Sequence, residues 1–231
     1  MTSGAVLYGM PMSHYCTCAD RVLAFKGVPT RSVVVPYHDK RELIAATGQD
    51  YVPALVWDGR VVPWREIADD VERAIPRPTL YPDGQKALAI AVDNWGHLVL
   101  EEAVWRAVVT LVPARLADDV ERWVFEEIQN RVRGPWHVLE MRRAEYREEM
   151  LRLLGLVDAM VADRPWILGA PSLADFGVYG GLSPLLFAGE RVPSELPHLA
   201  AWVERIESLA AARAPKAPVR SPKRSGRTSK A

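Results

Sequence analysis

The chain has 231 residues, nearly half of them apolar and a quarter charged, with equal numbers of acidic and basic side chains. That composition excludes a disordered or fibrous polymer, and the length suits one large domain or two small ones. No run of about 18 apolar residues occurs and no basic-then-apolar leader opens the chain, so a soluble, cytoplasmic protein without a membrane partner is expected. Cys16 and Cys18, the two cysteines, are too close for an easy structural disulfide and too sparse for a zinc site, and no metal is expected.

Residues 5–8 form a short apolar run that ends in Gly9-Met10-Pro11, which reads as a buried strand and a turn. A helix follows over 15–26, with Cys18, Val22 and Phe25 at helical spacing and Gly27 as its stop. Residues 32–36 hold three consecutive valines, the pattern of a central strand covered on both faces and reached by a helical crossover. A short helix over 40–47 is closed by Gly48. Strands over 52–56 and 60–62 flank Asp58-Gly59 as a hairpin. The amphipathic stretch 67–74 is a helix carrying Ile67 and Val71, and Pro76, Pro78 and Pro82 then break the pattern. A domain boundary is placed there, between residues 1–80 and 84–211.

Beyond residue 84 only helical patterns occur, over 86–111, 116–131 and 138–161. Ser172-Leu173-Ala174-Asp175 has the layout of a capping box opening a helix that runs to about residue 188. A final amphipathic helix spans 197–211 and carries Leu199, Trp202, Ile206 and Leu209. Residues 214–231 are a Pro-, Ser-, Lys- and Arg-rich tail predicted to be disordered, a solvated terminus rather than a nucleic-acid contact.

The predicted order β-α-β-α-β-β-α, a proline-rich linker and then helices resembles the glutathione transferases over residues 5–210. The fold class implied is a thioredoxin-like α/β domain followed by an all-α helical bundle domain. Three motifs carry the resemblance. Tyr51-Val52-Pro53-Ala54-Leu55 looks like the segment whose proline is cis throughout the thioredoxin-like superfamily. Pro165-Trp166-Ile167-Leu168-Gly169 with Pro171-Ser172-Leu173-Ala174-Asp175-Phe176 is similar to the family's folding motif. Pro197-His198-Leu199-Ala200-Ala201-Trp202 resembles its last helix.

The resemblance implies an enzyme that joins a thiol co-substrate, glutathione or a related small thiol, to a small electrophile, and that pairs as a homodimer. Counting back fourteen positions from Gly27 lands on Ser13, the implied catalytic hydroxyl at the start of helix one. Free amides and the positive end of the helix dipole favour a thiolate there. A plain helix cap is the alternative for Ser13. Ser13-His14-Tyr15-Cys16 is similar to the Cys-Pro-Tyr-Cys of glutaredoxins with the attacking cysteine replaced, which disfavours dithiol exchange. Val52 and Pro53 are the implied backbone contacts to the thiol. Tyr8 is either a second candidate hydroxyl or core, and Cys16 and Cys18 are either oxidation-sensitive thiols or small apolar fillers.

Pro63 and Trp64 stand where most family members carry an acidic residue and a serine that hold the ligand's γ-glutamyl end. Trp64 is thus a cofactor-site residue of altered chemistry. Glu66 or Asp69 would be the substitute charge, with solvated helix charges as the alternative account. Arginine outnumbers lysine in the folded part, a mark of GC-rich genomes, and the altered pair points to a different small thiol. Trp95, His97 and Trp105 are candidates for the wall of the substrate pocket. A non-catalytic, transferase-like module for protein association or hydrophobic ligands is the competing expectation.

Overall fold

The computed structural model describes residues 4–82 and 84–213, so the basic stretch 214–231 lies outside the described residues. Strands β1 (Ala5–Gly9), β2 (Thr30–Val34), β3 (Ala54–Trp57) and β4 (Arg60–Pro63) form one sheet of order β2-β1-β3-β4. Helix α1 (His14–Phe25) makes the crossover that sets β1 and β2 parallel, while β3 lies antiparallel to both β1 and β4. Asp58 (φ 51°) and Gly59 (φ 76°) turn the hairpin through the left-handed region, which aspartate tolerates and glycine adopts freely. Helices α2 (Arg41–Thr47) and α3 (Ile67–Ala74) complete a thioredoxin-like layer arrangement.

Three valines in a row are enough to suggest a covered central strand, but the connections place β2 at the sheet edge. Val33 is half-buried and Val34 is 65% exposed. Only Val35, just beyond the strand, is buried, donating its N–H to the carbonyl of Gly9 at 2.9 Å. Topology decides burial here, because an edge strand has one neighbour whatever its side chains.

A buried ion pair fixes the linker to this domain. The side chain of Lys26, just past α1, is fully buried and donates to Glu72 of α3 and to the carbonyl of Pro78 at 2.7 Å. Glu72 also accepts from the Thr79 hydroxyl and from the N–H of Leu80 at 2.9 Å. Burial pushes the Glu72 carboxyl up, but the bonds from Lys26, Thr79 and Leu80 outweigh it and hold it below its ordinary value. A depressed carboxyl stabilises the fold above the unfolded value and loses that contribution as pH falls through the folded one. Glu72→Gln is therefore expected to cost about 2 kcal/mol at neutral pH. The deficit shrinks as the wild type is titrated below pH ~4, measurable by urea unfolding at both pH values.

The second part of the chain is helical: α4 (Lys86–Trp95), a π-helical turn (Gly96–Leu100), α5 (Glu101–Val108), a 3-10 segment (Val109–Arg115), α6 (Asp119–Arg133), α7 (Trp136–Met141), α8 (Arg143–Met160), α9 (Leu173–Phe187) and α10 (Pro197–Arg213). The predicted continuous helix over 86–111 is interrupted by the π turn and changes to 3-10 geometry, and that over 138–161 divides at Arg142. Helix α9 is the central post, buried from Leu173 to Leu185, and packs against α1, α4 and α5. Gly177, Gly180 and Gly181 permit this approach: a Cβ on Gly180 would lie 2.7 Å from the carbonyl of His14, and one on Gly96 2.8 Å from Gly177. No helix among the described residues is long and apolar enough to cross a membrane.

The capping box read at Ser172 is present, and its acid does more than cap. One oxygen of the fully buried Asp175 accepts from the N–H of Ile167 (2.9 Å) and from Trp202 Nε1 (3.0 Å). The other accepts from the N–H (3.1 Å) and the hydroxyl (2.8 Å) of Ser172. One carboxyl thereby ties the loop before α9, the start of α9 and the indole of α10 together.

Candidate functional site at the first turn of helix α1

The sheet register brings the sequence-predicted residues to one end of the first domain. Tyr8 of β1 is opposite Ala54 of β3, which is opposite Pro63 of β4. Gly9, the Val52-Pro53 segment and Pro63-Trp64 therefore all leave the sheet at the C-terminal end of β1. The tight turn in which Ser13 donates its N–H to the carbonyl of Met10 (3.0 Å) sets the start of α1 at this same end. The Val52-Pro53 bond is cis, as the resemblance implies.

Ser13 is the N-cap of α1, half-buried, with its oxygen accepting the N–H of Cys16 at 3.4 Å. A hydroxyl that accepts one amide still has its own proton to donate. The cap therefore leaves Ser13 able to donate a hydrogen bond to an anion at the helix tip. Neither cysteine competes for that role. Burial pushes the Cys16 thiol up and the Cys18 thiol well up, which disfavours both thiolates. The two sulfurs face different surroundings: Cys16 lies beside Gly9 and the N–H of Met10, Cys18 beside Asp93. Tyr8 is buried in the core with Met10 and Met12.

A cavity of about 400 Å³ lies between α1, the segment 64–69 and α4, with Tyr15, Cys18, Trp64, Arg65, Asp93 and His97 among its walls. Ser13, Val52 and Pro53 do not line it. Trp64 does, and its indole packs on Tyr15 with ring centroids 4.2 Å apart, with the Arg65 guanidinium 5.1 Å above it. Tyr15 in turn meets His14 (3.9 Å) and His97 (4.5 Å). Of the three residues expected to wall a substrate pocket, His97 lines this cavity. Trp105 is instead buried in the helical core beside Phe125, and Trp95 packs against that core, because their faces of the long helix turn toward the bundle. Asp69, a candidate substitute charge, is already engaged by the Tyr81 hydroxyl and Lys86, each at 2.8 Å, while Glu66 is exposed.

A polar chain that sequence reasoning missed runs behind α1. His14 Nδ1 lies 3.2 Å from the buried Glu101, which is also 3.2 Å from Arg133, and Arg133 donates to Gln129 at 2.6 Å. Burial holds the His14 imidazole below its ordinary value despite the hydrogen bond it donates to Glu101. Its Nε2 is buried without a protein partner. The partners lie far apart in the chain, and only the strand-loop-helix closure juxtaposes them.

Residues 7–63 match the family model of the glutathione S-transferase N-terminal domain. Solved structures extend the likeness across the chain. Glutaredoxin 2 from Salmonella typhimurium, in complex with glutathione, superimposes with a TM-score of 0.72 at 19% identity, covering 90% of this chain and 96% of its own. A glutathione S-transferase from Ceriporiopsis subvermispora, also in complex with glutathione, gives 0.71 at 19% identity, covering 93% and 100%. One from Rhodospirillum rubrum gives 0.67 at 21% identity, covering 88% of each. A search of the curated proteins returned no match. The first domain thus matches the glutathione S-transferase N-terminal family model over residues 7–63, and the fold as a whole is the one these structures share.

Proposed function

We propose that the protein is a glutathione-transferase-like enzyme that binds a low-molecular-weight thiol, glutathione or a relative, and joins it to a small, partly apolar electrophile. Ser13 stabilises the thiolate at the tip of α1, and the backbone of Val52 aligns the thiol. The supporting observation is the Ser13 hydroxyl at the N-terminus of α1, at the sheet end it shares with Val52-Pro53, where no protein thiolate competes. The sulfur anion attacks the electrophilic carbon, forming the C–S bond as the leaving group departs or the electrons move to an acceptor atom. The enzyme works as a homodimer in the cytoplasm, with detoxification as its broad role, and needs neither a membrane nor a nucleic acid. Retention on immobilised glutathione, together with conjugation of a generic electrophile that Ser13→Ala loses, tests this reading.

Pro63-Trp64 bears on which thiol is used. Where a carboxylate and a serine would hold an α-amino acid, Trp64 presents an aromatic face and Arg65 a guanidinium beside it. That pair suits a thiol whose far end is acidic or flat rather than zwitterionic. Pro63→Glu combined with Trp64→Ser is expected to tighten glutathione binding by about tenfold to a hundredfold, the worth of one charge-assisted contact. Calorimetric titration of both proteins measures it. A non-catalytic module is the second reading, favoured by the packing of Trp64 onto Tyr15. Absence of both retention and conjugation, with every thiol tried, selects it.

A further inference from the structure

Three metal-ligating side chains meet where α1, α4 and the π turn converge on α9. Cys18 Sγ lies 3.9 Å from Asp93 Oδ1, and His97 Nε2 lies 3.3 Å from the same oxygen. All three donor atoms lie within 4.8 Å of one another. Tetrahedral zinc bound at roughly 2.0–2.3 Å spaces its ligand atoms roughly 3.3–3.8 Å apart. The imidazole–carboxylate edge already fits, the thiol–carboxylate edge at 3.9 Å needs a shift of a few tenths of an ångström, and the thiol–imidazole edge, within 4.8 Å, closes by about 1 Å at most.

The surroundings point the same way. Cys18 and His97 are buried and Asp93 is half-buried, yet the ion pair that Asp93 makes is with His97 rather than with a lysine or arginine. Arg65, the cation that shares the cavity with Asp93, lies 5.1 Å over the Trp64 ring and makes no ion pair with Asp93. Helix α9 leaves room for the cluster, since a Cβ on Gly177 would overlap the Asp93 carboxylate and one on Gly180 would lie 3.3 Å from both Cys18 Cβ and His97 Cε1. The π turn at Gly96–Leu100 carries His97, and such turns recur at functional sites. All three side chains also line the 400 Å³ cavity, which gives a bound ion an open side.

We propose that Cys18, Asp93 and His97 form a site for one divalent transition-metal ion of the zinc class, with its fourth position open to the cavity. A thiolate, an imidazole and one carboxylate suit zinc and discriminate against magnesium and calcium, which favour all-oxygen sites. The open position takes water or an anionic or thiol group of a ligand. This site is independent of the thiol chemistry assigned to Ser13, and it revises the expectation of no metal, which weighed cysteine and histidine spacings and left Asp93 out.

The test is titration of the chelator-stripped full chain with cobalt(II), followed by zinc. One cobalt per chain is expected, with a thiolate-to-cobalt charge-transfer band and the visible bands of a tetrahedral ion, both removed by zinc. Cys18→Ser loses the charge-transfer band, and Asp93→Asn and His97→Ala bind about tenfold or more weakly. Cys16→Ser keeps the spectrum. Absence of the band in the wild type, its persistence in Cys18→Ser, or its loss in a folded Cys16→Ser protein overturns the site. If the ligand variants do not fold, thermal unfolding of the wild type decides: zinc raises the melting temperature and magnesium does not, whereas no shift with zinc refutes the proposal.

Discussion

Replacing Asp175 with alanine is expected to destabilise the protein by about 4 kcal/mol, among the largest effects of any single change. Its carboxyl accepts from Ile167, Trp202 and twice from Ser172, and the site is closed to solvent. Alanine leaves these donors facing a void that is too dry to hydrate them. Losing each bond to a charged group costs about 1.5–3 kcal/mol, and the losses overlap because the donors share one acceptor. In a domain of this size the melting temperature falls by about 10 °C. Asp175→Asn, which keeps one acceptor oxygen but turns an NH₂ toward other donors, is expected to lose about half as much. Chemical denaturation of the three proteins measures the series. An alanine variant within 1 kcal/mol of wild type would show that the network contributes little to folding.

The second large effect is chemical. Ser13→Ala is expected to raise the pKa of a bound thiol by about one to two units and to slow conjugation near neutral pH by about tenfold to a hundredfold. The hydroxyl also caps α1, so the same change costs about 1 kcal/mol of stability. Ser13→Asp separates the two roles. Aspartate is a good N-cap and keeps the melting temperature, but its charge repels a thiolate, so its activity falls at least as far as that of alanine. Activity lost in both variants, with stability lost only in Ser13→Ala, would show that the cap alone does not account for the residue.

The parts of the fold that were legible in the sequence are those specified by local chemistry. Gly48 (φ 72°) sits at the end of α2 and Gly27 (φ 68°) just past α1, both in the left-handed region. The Asp58-Gly59 turn fixes the hairpin, and Ser172 with Asp175 opens α9. What misled was burial that depends on distant neighbours. The valines at 33 and 34 look central, yet the sheet order leaves them at an edge. Trp105 shares a long helical stretch with His97, but the π turn that carries His97 alters their relative facing, and of the two only His97 reaches the cavity.

The site was partly legible for the same reason. Ser13, Val52, Pro53 and Trp64 are the candidates that the resemblance implies, and the sheet register together with the turn before α1 brings them to a common end of the sheet. The cluster on the other face of α1 was not found, because Cys18 and Asp93 are 75 residues apart. The Asp93–His97 spacing of four residues, which aligns two side chains on one helical face, was the available signal. The polar chain from His14 to Arg133 had no such local sign.

The central claim is that the tip of α1 holds a small thiol as its anion through the hydroxyl of Ser13. Ultraviolet difference titration of the wild type and Ser13→Ala, each saturated with glutathione or with whichever cellular thiol gives the largest thermal shift, tests it most directly. A bound-thiol pKa at least one unit below its value in free solution, restored by Ser13→Ala, is the predicted result. A pKa that stays at the free value in the wild type, or that stays depressed when the hydroxyl is removed, would contradict the account.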